Sequence, residues 1–185
     1  MRRAHVLLGL ALLFAAGCSA ATGPEAPPSD HAAASTSDVA WMEEFCTVVG
    51  DLQTGLFAGA AEPGAGDGSG LRERLDSDLA GAAEALGVAV DRLGELPEDA
   101  PAGGRVAVAE LARRLTGLRD SVVTGQRSLA GLPPDTSEQD VSRVMSDVWP
   151  EVAAKAGKPL DGVAVTGGMK AAADGLACRT VPGLG

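Results

Sequence analysis

The chain has 185 residues, of which 45% are hydrophobic and 22% charged, a composition that suits one globular domain and excludes a disordered chain. Tyr, Ile and Asn are all absent, which leaves Val and Thr as almost the only strong strand formers and predicts an all-α fold. A formal charge of −10 excludes a sequence-independent nucleic-acid binder, because neutralising phosphates takes a surplus of Lys and Arg.

The N-terminal segment sets Arg2 and Arg3 before an apolar run from Val6 to Ala16, followed by Ala15-Ala16-Gly17-Cys18. Positive, apolar and small residues in that order make an export signal. As a helix the apolar run would rise only ~16 Å, about half a bilayer core, too little for a lasting membrane anchor on its own. Ala15-Ala16-Gly17-Cys18 resembles the lipobox of bacterial lipoproteins, with Ala15 where Leu is usual. That resemblance implies that the Cys18 thiol carries a diacylglyceryl group and that residues 1–17 are removed. Two acyl chains, at ~0.8 kcal/mol per buried methylene, then hold the protein on the outer face of the plasma membrane. A composition without Asn, Ile or Tyr and with Arg favoured over Lys fits a genome rich in G and C. Taken with the lipobox, it looks like an actinobacterial envelope lipoprotein.

Residues 18–37 form the expected tether, rich in Ala, Ser, Thr and Pro and without apolar periodicity. Such coil spans on the order of 25 Å root-mean-square. Residues 38–185 form the expected domain, an antiparallel bundle of four or five helices. Met42, Phe45, Val49, Leu52 and Leu56 repeat at the helical spacing, with Asp38 as N-cap. A second helix is predicted from about Leu71 to Leu96, and a third carries Val108 through Leu129. Thr136 and Gln139 suggest a capping box for a fourth, which Pro150 should kink or restart. A last helix, interrupted by Gly, runs through Val163, Met169, Ala172 and Leu176.

Glycine inside these helices costs about 1 kcal/mol each relative to Ala, and large side chains to offset it are few. Cys46 and Cys178 are the expected staple. Acylation of Cys18 leaves them as an even pair in an oxidising compartment. A bridge requires their Cα atoms to lie within about 4.4–6.8 Å, which sets the first and last helices side by side.

Catalytic chemistry is hard to assemble. Both histidines, His5 and His31, precede the predicted helices, so neither a Ser-His-Asp triad nor a Cys/His zinc site can form in the domain. Gly64 to Gly70 lacks the preceding strand and the following Lys-Ser of a phosphate loop, and the spaced carboxylates of a calcium loop. The carboxylate pairs, Glu43-Glu44 among them, read as solvated surface, and Trp41 and Trp149 as core filler. No cofactor or metal is expected. Arg105, Arg113, Arg114, Arg119 and Arg127 gather on the third helix. They serve either as salt-bridge partners of neighbouring acidic helices or as a docking face for an acidic envelope protein or polymer. The expected function is a non-catalytic binding or structural role in the envelope. The alternative is a carrier of a small apolar ligand in an interhelical cavity. An enzyme would need carboxylates clustered in a cleft.

Overall fold

The computed structural model describes residues 34–57 and 69–184. They form α1 (Thr36–Phe57), α2 (Ser69–Glu95), α3 (Gly104–Ala130), α4 (Glu138–Gly157) and the short α5 (Gly167–Ala172), then a 3₁₀ turn at Ala177–Thr180. There is no strand among the described residues, and the fold is an all-α helical bundle.

Two long helices make its spine. At 27 residues each, α2 and α3 reach about 40 Å and lie antiparallel along their whole length. At one end the Arg105 guanidinium donates to the Leu96 carbonyl. At the other, Arg72 donates to the carbonyls of Leu129 and Leu132, supplying hydrogen bonds to the end of α3. The shorter helices share the length of this spine. α1 packs on the C-terminal half of α2, where Trp41 Nε1 donates to the Pro97 carbonyl at 2.9 Å and Gly55 comes close to Ala85. α4 packs mainly on α3, with Val148 seated against Gly125. The two meet where Gln53 Nε2 donates to the Ala156 carbonyl.

The helical spacing of apolar residues builds the core. Met42, Phe45, Val49, Leu52 and Leu56 are all buried, as are Leu79, Leu86 and Leu93 of α2 and Leu111, Leu118 and Leu129 of α3. Trp41 is buried and stacks on Phe45, whereas Trp149 is only partly covered. No polar or charged side chain is buried among the described residues.

Two helix starts differ from the expectations, and of the two outcomes expected at Pro150 the restart does not occur. Asp38 is not the N-cap of α1. Ser35 Oγ accepts from the Asp38 amide and the Asp38 carboxylate accepts from the Ser35 amide, a reciprocal capping box that starts the helix at Thr36. In α4 the cap is Ser137, not Thr136; its hydroxyl accepts from the Asp140 amide. Nor does Pro150 restart that helix, which runs unbroken with Pro150 on its exposed side.

The largest departure is at the C-terminal end. In place of one helix through Val163 to Leu176 there are irregular turns, the six-residue α5 and the 3₁₀ turn. Gly162, Gly167, Gly168 and Gly175 deprive this stretch of helix propensity. Leu176, expected on the apolar face, is 72% exposed. Cys178 therefore sits on a 3₁₀ turn, and its disulfide to Cys46, with Cα atoms 4.9 Å apart, joins that turn to α1.

Candidate functional site

Of the residues singled out in the sequence, Cys18 and the leader lie outside the described residues. Cys46 and Cys178 are bridged and buried, at 0% and 2% exposure, a structural position out of reach of solvent.

The five arginines do not act as one group. At 3.6 residues per turn Arg105, Arg113, Arg119 and Arg127 fall within about 120° of arc on the outer side of α3, and Arg114 lies beyond it. Arg127 is exposed and has no hydrogen-bond or ion-pair partner among the described residues. The Arg119 guanidinium lies over Gly87 of α2, where a Cβ would come within 3.6 Å of it. Bridging to acidic neighbouring helices is not what holds these side chains. Arg113 and Arg114 both pair with Glu110 of α3 itself, at 2.7 and 2.6 Å. Hydrogen bonds from Arg113 and then Arg114 hold the Glu110 carboxyl down at about 2, and Glu110 raises the Arg113 pKa in return. Among the described residues the one interhelical ion pair joins Arg92 of α2 to Asp51 of α1.

Arg114 does more than pair with Glu110. Its two terminal nitrogens donate to the carbonyls of Asp161 and Gly162, at 2.5 and 2.8 Å, and so fix the loop after α4 against α3. Gly162 has φ +70°, a left-handed conformation that a side chain disfavours, and a Cβ there would meet the guanidinium at 3.0 Å. This loop forms one wall of a half-open groove of about 410 Å³ between α3 and α4. Leu115, Leu118 and Pro159 supply apolar lining, while Arg113, Arg114, Lys155 and Lys158 bring positive charge. The lysines went unread in the sequence. Their i,i+3 spacing at a helix end is a legible signal, but nothing in that spacing says that α3 stands opposite.

Glu151 pairs with Lys155 at 2.6 Å, and no three His, Cys, Asp or Glu side chains converge as a metal site among the described residues. No described helix is long and apolar enough to cross a membrane. No protein-family model, curated protein or solved structure matches the chain.

Proposed function

We propose that this is a lipid-anchored, extracytoplasmic helical protein whose role in the cell envelope is to bind an acidic partner, without catalysis. The reading is supported above all by the charge of α3. In a chain of net −10, α3 sets five arginines against Glu110 and Asp120 and is, among the described residues, the only long helix with a cationic excess. Its outer arginines span ~33 Å from Arg105 to Arg127, long enough to follow an extended anionic polymer or the acidic face of a protein.

A retention experiment tests this. The full protein should bind immobilised polyphosphate at low salt and be released as salt rises. Replacing Arg105, Arg113, Arg119 and Arg127 by Gln should abolish retention. Free passage of the unmodified protein at low salt would remove the docking role of α3. The anchor is tested separately. Cys18→Ser should abolish labelling by a fatty-acid analogue in cells, and undiminished labelling would refute lipidation at Cys18. A second reading, a carrier of a small apolar ligand, draws support from the leucine-lined groove between α3 and α4.

A further inference from the structure

The grooves on this surface differ in sign. The one between α1 and α2 is lined by Asp51, Glu84 and Arg92. Of the two beside the first half of α4, one carries Asp120 and Asp147, the other Asp140, Asp147 and Arg143. Each has an acidic excess. The groove at the end of α4 carries Arg113, Arg114, Lys155 and Lys158 against Asp161 alone. Counting Glu110 and Glu151, which hold three of those cations, one positive charge remains in surplus. Donors also remain. Arg113 uses Nε and one terminal nitrogen on Glu110, Lys155 gives one bond to Glu151, and Lys158 has no acceptor among the described residues. Between these cations the floor is apolar, formed by the buried Leu115, Leu118 and Pro159 with the exposed Ala154 at its rim.

We infer that this groove binds an anionic amphiphile, a small molecule with one phosphate or carboxylate head and an apolar body. The head sits among Arg113, Lys155 and Lys158, and the body lies along Ala154 over the apolar floor of the groove. Arg114 serves as a positioning residue, since its guanidinium is occupied by Glu110 and by the loop carbonyls. This deepens the reading of the protein as a binder; it is independent of the anchor, and of the outer arginines it uses Arg113 alone. The simpler role of Lys155 and Lys158 is to offset the negative end of the α4 dipole. That role predicts a change in stability and none in ligand binding, so the two are separable.

The test is calorimetric titration of the full chain, held in a neutral non-ionic detergent, with hexyl phosphate, inorganic phosphate and hexanol. Hexyl phosphate should bind at least tenfold more tightly than either of the others. Lys155→Gln and Lys158→Gln should each weaken it about three- to fivefold at low salt, the range for an exposed charge pair. Arg105→Gln and Arg127→Gln, away from the groove, should leave it unchanged. Hexanol binding equally well would eliminate the role of the cations, and inorganic phosphate binding equally well would eliminate that of the leucines. Absence of hexyl phosphate binding, or binding unmoved by the lysine substitutions, would overturn the site. Polyphosphate retention through the outer arginines would survive that result.

Discussion

Glu110 shows how one carboxylate organises two cations. Its pKa in the fold is about 2, against 4.5 for the ordinary side chain, so between those values the unfolded chain binds the extra proton. Its contribution to stability is thus full above pH 4.5 and is lost as pH falls through about 2. Glu110→Gln should lower the melting temperature slightly in the neutral region and leave it unchanged below about pH 2, which flattens the acid limb between those values. An unchanged acid limb would show that the pair with Arg113 and Arg114 does not couple to folding. Cys46 and Cys178 were legible as a pair on the expectation that Cys18 is acylated and the domain exported, which leaves an even count. Their surroundings were not, since the 3₁₀ turn under Cys178 depends on how the glycine-rich end packs. Cys46→Ser with Cys178→Ser should cost about 2–5 kcal/mol, read from denaturant unfolding. A loss below about 1 kcal/mol would mean that the core holds without the staple.

The helices themselves were readable because apolar spacing and burial impose the same period, as Met42 through Leu56 show. Their ends were less so. Ser35, Thr36, Ser37 and Asp38 can each cap a helix, and the choice falls to the reciprocal pair that the folded backbone permits. Glycines read as a uniform cost divide in two once the neighbours are known. A Cβ on Gly125 would lie 2.7 Å from Val148 Cγ2, whereas one on Gly117 meets nothing within 4 Å. Gly125→Ala should therefore force α4 outward and cost about 1–3 kcal/mol, with Val148→Ala restoring much of it in the double variant. Gly117→Ala should instead stabilise by up to ~1 kcal/mol. Chemical denaturation of the four variants distinguishes the cases, and equal effects at the two glycines would contradict the packing described for α3 and α4.

The described residues form a long hairpin of α2 and α3 with shorter pieces laid along it, an arrangement that periodicity alone did not single out among four- or five-helix bundles. The groove depends on that arrangement. Residues 41 positions apart, such as Arg114 and Lys155, line one space only because α4 returns along α3. The bridge from α1 to the 3₁₀ turn has a mechanical consequence. Pulled from Thr36 and Leu184, an unfolded chain without the bridge would extend by roughly 3.5 Å per residue, on the order of 500 Å. With Cys46 bound to Cys178 the 132-residue separation between them is closed off. Only the short arms outside it can lengthen, to on the order of 60 Å. Force entering through the first helix then passes across a covalent bond to the last turn, bypassing the helices between, and an optical-trap trace should show the long extension only after reduction.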